Sequence, residues 1–353
     1  MDSVSAFTAA SAVELLGLNE IDSATSVRQR YSSAIRHATR SPRSIHVYDA
    51  AWRHFTSWCS ENGRGPLPAD EETLILYLLY WGHPDVNRRA EDRLLSRSTI
   101  RTYLHGVKWS HLQSHSPWPT YGLGEADVLK ETVRLIEHRQ RDIKQSPKGR
   151  AIAEAKLLAS VRSIDDTKPE GLRDRALLLT TFYGAFRREE VVRLTTDDLE
   201  FSDDEHDEGM TITLRSSKTD PHGKGAVRAI SRTYIEPCPV LSMRDWLNVR
   251  GLEPGPIFTN IGNRGPRKNH GGPLTPSHVN RLIKRSVARI GEDPSRYSAH
   301  SMRAGLATSA ARAGVEPRLI KLQTGHASYE MLDRYIHSAN SLSDNVVRAM
   351  HPR

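Results

Sequence analysis

Cysteine is scarce in this chain. Cys59 and Cys238 are the two cysteines in 353 residues, which excludes a disulfide framework or a cysteine-based zinc ribbon and fits a reducing cytoplasm. Long apolar runs are missing too. No stretch of 18 residues reads as a membrane span, and the densest run, Leu74 to Trp81, reads as a buried helix. The opening residues lack a basic flank and carry Asp2, so they do not read as a signal peptide. Neither an internal repeat nor a low-complexity tract is visible. Charged residues are plentiful, at 26%, and apolar residues make up 37%, a composition far from the disordered class.

Basic charge is in excess. Fifty Lys plus Arg stand against 42 Asp plus Glu, a net charge of +8. Residues 197–208 (DDLEFSDDEHDE) hold eight of those acids and no Lys or Arg. Setting them aside leaves 34 acids against 50 bases, a balance of +16. A basic chain with one acidic loop points toward a polyanion without naming it.

The length favours two domains. Residues 1–40 read as a partly disordered lead-in. A compact helical domain follows over 41–137. Its first helix opens at Ser41–Pro42, an N-cap and first-turn pair, and Gly63 closes it. A second opens near Asp70, a third at Ser98 and a fourth spans roughly 126–138. In the third, Ile100, Tyr103, Leu104, Val107 and His111 share an inward face. Residues 138–150 (HRQRDIKQSPKGR) read as a basic linker, with five Lys or Arg against one Asp. It could follow a phosphate backbone or serve as a solvated spacer. Over 151–353 helices are expected at 152–163, 171–183 and 187–195. A hairpin follows, with TITLRSS and AVRAIS as its strands. PIFTN (256–260) is a further strand candidate, then a Gly- and Pro-rich loop. Thr275–Pro276 starts a helix with Val279, Leu282, Ile283, Val287 and Ile290 inward. The fold class is therefore mainly α with a small antiparallel β-sheet.

Five segments carry candidate chemistry. YGAFRREEVVRL places Arg187 and Glu190 three residues apart on one helix face. Lys218 lies at the hairpin, with Lys224 as a rival in the same turn. AHSMRAG puts His300 and Arg303 at i and i+3. His326 follows a helix-ending Gly, where a histidine can also simply complement the helix dipole. Tyr335 lies nine residues after His326. His105, His111 and His115 lack a carboxylate or cysteine to complete a metal site. The Trp residues of the first domain read as core, and both cysteines as inert core thiols.

Taken in order, these segments resemble the tyrosine site-specific recombinase (phage integrase) family. Its pattern is an Arg with a Glu three residues on, a hairpin Lys, His-x-x-Arg, a Gly-His or Gly-Trp, and a nucleophilic Tyr. The resemblance covers about 40–350. The segments WCSENG and RSTIRTYLHGVKWSH look like the core-binding domain of the Cre-like subgroup. The chain departs from many members at Ala304, where a second His is common. Tyr329, three residues after His326, sits too close to be the family nucleophile.

The chemistry agrees with the pattern. Breaking a phosphodiester without metal or nucleotide needs a nucleophile that stays attached, such as a tyrosine phenolate. It needs cationic forks on the non-bridging oxygens, for which Arg187 and Arg303 are candidates. It also needs a proton donor for the leaving oxygen, a role that suits Lys218. His300 would accept the tyrosine proton or orient the phosphate. His326 would donate a hydrogen bond to the same phosphate, and Glu190 would orient the Arg or His groups.

The resemblance implies a helical core-binding (SAM-like) domain and a catalytic domain closing as a C-shaped clamp on duplex DNA. Arg43, His46, Thr99, Arg101 and Lys108 in the first domain, and Arg281, Lys284 and Arg285 in the second, are the expected contacts, mostly to phosphate. It further implies strand exchange through 3′-phosphotyrosyl links and a Holliday junction. Four protomers would sit on paired inverted-repeat sites, with a C-terminal helix at 343–350 docking on a neighbour. No cofactor or metal is expected, and the location expected is the cytoplasm, at the nucleoid. Type IB topoisomerase-like relaxation and a catalytically inactive DNA-binding relative are the alternatives.

Overall fold

The structure is a computed structural model, and it describes residues 40–119, 128–141, 143, 149–204, 207–215, 225–261, 271–340 and 350. The expected lead-in up to residue 39, the hairpin tip with Lys218 and Lys224, linker residues 142 and 144–148 and nearly all of 343–350 lie outside the described residues. The chain divides into two compact units, residues 1–144 and 145–353.

The first unit contains four described helices. Helix α1 (Pro42–Glu61) starts where Ser41 accepts the Ser44 N–H at 3.2 Å, with Pro42 in its first turn. Helix α2 (Glu71–Gly82) is capped by Asp70, which accepts the Thr73 N–H at 2.7 Å. Helix α3 (Arg97–Gln113) starts one residue before the expected Ser98, because Ser96 takes the cap and accepts the Thr99 N–H. Helix α4 runs over Val128–Arg139.

Their inward faces bury Phe55, Cys59, Leu74, Leu78, Ile100, Val107 and Ile136. Each such side chain contributes roughly 1.5–3 kcal/mol. Helices α1 and α3 pack closely at Gly106, where a Cβ would lie 2.6 Å from that of Ala51. His111 is structural: its Nε2 accepts the Ala69 N–H at 3.0 Å, which leaves Nδ1 protonated toward the Val107 carbonyl. Burial pushes the Cys59 thiol up to about 11, so it is inert at neutral pH. Gln140 is buried and donates to the carbonyls of Gly82 and Leu95. The first unit thus reaches into the stretch read as linker.

The second unit is built around helix α6 (Pro169–Tyr183), with helix α5 (Glu154–Arg162) before it and the short helix α7 (Arg188–Val191) after it. The acidic stretch is more than a loop. It contains strand β1 (Leu199–Ser202), which pairs antiparallel with β2 (Gly209–Leu214), and β2 pairs antiparallel with β3 (Ala226–Ser231). Among the described residues, Asp198 pairs with Arg215, Asp203 with Arg244 and Glu208 with Arg232.

Helix α8 (Pro239–Arg250) buries Trp246. PIFTN contributes only the two-residue strand β4 (Thr259–Asn260), which pairs with β5 (Gly271–Pro273), a segment read as loop. Helix α9 (Pro276–Arg289) buries Val279, Leu282, Ile283 and Val287, while Ile290 is its C-cap. Helices α10 (Ala299–Arg312), α11 (Pro317–Thr324) and α12 (Tyr329–Asn340) complete the unit. Leu177, Phe182, Trp246, Phe258 and Ile283 lie in its main core, while α10, α11 and α12 share a small satellite core of Ala307, Ala311, Ile320 and Leu332. No described helix is long and apolar enough to cross a membrane.

Candidate active site

Arg187 sits at a forced turn. Helix α6 ends at Gly184, and Ala185 takes φ +50, a conformation disfavoured for a residue with a Cβ. The turn delivers Arg187 as the N-cap of α7, whereas the sequence pattern placed it within a helix running to 195. Glu190 holds it twice, accepting from the Arg187 backbone N–H at 2.8 Å and from Nη1 at 2.5 Å. The buried carboxylate therefore orients the guanidinium and closes the start of the helix.

Arg303 enters from α10 and is 4% exposed. Its Nη1 donates to the Ala185 carbonyl at 2.9 Å, which ties α10 to the strained turn. Burial and then the neighbouring Arg187 push Arg303 down to about 10, with Glu190 opposing, so it remains a cation at neutral pH. The start of α10 is fixed by Asn280 of α9, whose Oδ1 accepts the Ala299 N–H at 3.0 Å.

One turn before Arg303, His300 meets Tyr335 of α12. The phenol oxygen lies 3.2 Å from His300 Nε2. Desolvation, then Arg303 and Arg187, hold His300 below its ordinary range, although the residue keeps an exposed edge. A neutral His300 can accept a phenol proton. Tyr335 packs on the satellite core of α10, α11 and α12.

His326 follows Gly325, a left-handed C-cap at φ +61. Its ring lies 5.5 Å from that of Tyr335, centroid to centroid. Desolvation, then the charges of Arg303 and Arg187, lower His326 to about 4. Thr324 Oγ1 donates to the Ile320 carbonyl at 2.7 Å, so it must accept from His326 Nδ1, also at 2.7 Å. In the neutral ring Nε2 is then an acceptor. Donating to a phosphate from Nε2 would then require His326 to take up a proton.

Arg187, Glu190, His300, Arg303, His326 and Tyr335 thus gather around α6–α7, α10 and the α11–α12 turn. Lys218 lies outside the described residues. The sequence reading missed Arg228 of β3, a buried cation near Glu190 and Arg187. Its strand phase, alternating with Ile230 on the inward side, was the available signal. Among the described residues no group of three or more His, Cys, Asp or Glu could hold a metal ion.

A known family covers this part of the chain. The model of the phage integrase family matches residues 153–341, a span holding every residue of the cluster. The chain belongs to the phage integrase family.

As a member of the phage integrase family it is a tyrosine site-specific recombinase, an enzyme of DNA cleavage and rejoining. It is 29% identical over 320 residues to an integrase/recombinase XerD homolog of Selenomonas ruminantium, covering 89% of this chain and 86% of that one. It is 24% identical over 318 residues to the Cre recombinase of Escherichia phage P1, covering 84% of each. Both Xer and Cre relatives appear, so the Cre-like resemblance is shared with the Xer branch.

The fold is similar to the Tn1549 transposon integrase solved in complex with transposon right end DNA, with TM-score 0.56, 17% identity and coverage of 88% and 94%. It is also similar to the XerH recombinase bound to its difH substrate before cleavage, with TM-score 0.52, 18% identity and coverage of 83% and 76%.

The residues expected to contact DNA on this phage integrase fall into groups. Arg43 and His46 are exposed on α1. On α3, Arg101 and Lys108 are exposed, with His105 on the same stripe, a residue the sequence reading left out. Arg101 pairs with Glu137, and Lys108 lies over the Trp118 ring at 5.7 Å. Thr99 is engaged in the α3 cap, its Oγ1 2.9 Å from Ser96 Oγ, so a base or phosphate would compete with that bond. On α9, Arg281 and Lys284 are exposed. Arg285 is also exposed but pairs with buried Asp174 at 2.9 Å.

Proposed function

We propose that Tyr335 is the nucleophile of a DNA strand exchange that runs without metal or ATP. The carrying observation is the convergence of Tyr335 with His300, His326, Arg303 and Arg187 in one cluster. Arg187 and Arg303 bind the non-bridging oxygens of the scissile phosphate, and Glu190 sets the angle of Arg187. The phenol proton passes to His300 as the Tyr335 oxygen bonds to phosphorus. The bond to the 5′-oxygen breaks, and Lys218 supplies the proton that leaves with it as a hydroxyl. The product is a 3′-phosphotyrosyl enzyme. A 5′-hydroxyl from the partner duplex reverses the step, and exchanging one strand pair gives a Holliday junction.

Relatives of both Xer and Cre type support duplex DNA as the partner. Four protomers acting in pairs on inverted-repeat sites, joined through the segment 343–350, complete the reading. The exposed faces of α1, α3 and α9 set affinity through Arg43, His46, Arg101, Lys108, Arg281 and Lys284. The enzyme would work in the cytoplasm, on DNA of the nucleoid. The test is a nicked suicide substrate carrying the site. An SDS-resistant adduct with the wild-type chain supports this reading, and its absence contradicts it. Recombination of paired sites then distinguishes a recombinase from a topoisomerase-like enzyme, which would relax any supercoiled plasmid.

A further inference from the structure

Arg228 occupies an unusual place for a cation. Strand β3 alternates, with Arg228 and Ile230 inward and Val227, Ala229 and Ser231 outward. Arg228 stands opposite Ile212 of β2 and is 7% exposed. Burying a guanidinium is costly unless its donors are met. Here Nη1 donates to the Leu322 carbonyl in the last turn of α11 at 2.7 Å. Burial lowers its proton affinity, the Glu190 carboxylate raises it and the Arg187 charge lowers it again. Nε is buried with no partner among the described residues. Solvation does not explain this placement, and the side chain is spent on one helix end.

The next contact shows what that helix end does. A Cβ added to Gly325 would lie 2.4 Å from Arg228 Nη2. Glycine there supplies the left-handed turn and also admits the guanidinium. The following residue is His326. Gln323 works beside it, its Nε2 donating to the Tyr183 carbonyl at 2.7 Å and to the Ala229 carbonyl at 3.0 Å. Three segments therefore meet at two side chains. They are the end of α6 leading to Arg187, strand β3, and the α11 turn leading to His326.

We propose that Arg228 is a positioning residue for His326, and that Arg228 and Gln323 together clamp the α11 turn onto β3 and the end of α6. The inference rests on reading the Tyr335 cluster as the cleavage site. It adds a cation that orders the histidine without touching DNA. A purely stabilising Arg228 would lower the melting temperature and leave His326 unaltered in the folded protein.

Two measurements separate these roles. In the DNA-free chain, the imidazole NMR signals of His326 are followed through a pH titration. In Arg228→Met the His326 midpoint should climb from about 4 toward the ordinary histidine range as the turn loosens, while the buried His111 signal stays put. Arg228→Lys, which keeps charge but loses the fork, should fall between. Gln323→Leu should move His326 in the same direction and gives a second variant if Arg228→Met folds poorly.

On the nicked substrate at saturating DNA, Arg228→Met should slow single-turnover adduct formation by about 10- to 100-fold, with DNA affinity changed by less than about 3-fold. In a His326→Ala background the same change should slow the reaction by less than about 3-fold, because the two act through one group. An unmoved His326 titration, or losses that multiply in the double variant, would overturn the inference. A wild-type chain that forms no adduct would instead overturn the reading of the Tyr335 cluster, and the titration still decides the clamp.

Discussion

The hydroxyl of Tyr335 on α12 lies 3.2 Å from Nε2 of His300 on α10. The two residues are 35 positions apart, and only the packing of α12 on α10 brings them together. The small core beneath Tyr335 is Ala307, Ala311, Ile320 and Leu332, separate from the main core of the unit.

His326 makes the native state sensitive to acid. Its proton affinity is depressed from 6.5 to about 4 in the folded chain. The unfolded chain therefore binds the proton first as pH falls. The stabilisation is fully present above about pH 6.5 and is lost as pH drops toward 4. Urea melts at several pH values should show a steeper acid loss for wild type than for His326→Gln.

DNA binding should protonate His326. With Nδ1 committed to Thr324, only a doubly protonated ring can donate from Nε2 to a phosphate oxygen. The phosphate charge favours that form. Calorimetry in buffers of different ionisation enthalpy should detect proton uptake near pH 6–7, and His326→Gln should abolish most of it. Equal uptake in the variant would assign the proton elsewhere.

Glu190 offsets a crowded set of cations. It accepts two bonds from Arg187 and raises the proton affinities of Arg303 and Arg228. Glu190→Ala should destabilise the second unit by about 1.5–3 kcal/mol in denaturant melts. The same change should cut adduct formation more deeply than it cuts DNA affinity, since Arg187 loses its orientation.

The acidic stretch is expected to act on charge balance and to leave the chemistry unchanged. Asp203 and Glu208 neutralise Arg244 and Arg232. Replacing both acids with Asn and Gln should tighten non-specific DNA binding at low salt and steepen its salt dependence. The rate of Tyr335 adduct formation at saturating DNA should stay within about 2-fold. A parallel loss of that rate would place the stretch in the active site.

The helices were legible wherever a cap and an apolar period coincided, as at Ser41–Pro42, Asp70 and Thr275–Pro276. Boundaries slipped where two capping residues competed, and Ser96 won over Ser98. Strands β1 and β5 were hidden, one inside an acidic run and the other in a Gly-Pro stretch. Pairing with β2 and β4 outweighs those local preferences. The described members of the candidate cluster could be picked out beforehand because family spacing links their distant segments. Arg228 was not, because a lone strand arginine is normally solvated and only its inward phase marks it. The left-handed Ala185 was equally hidden, since alanine carries no turn signal.

The most direct measurement compares wild type with Tyr335→Phe on the nicked suicide substrate, with peptide mapping of the adduct. Wild type should give an SDS-resistant complex whose DNA is attached to the peptide containing Tyr335, and Tyr335→Phe should bind the same DNA with similar affinity and give none. An adduct retained by Tyr335→Phe, or mapped to Tyr329, would contradict the assignment of the nucleophile.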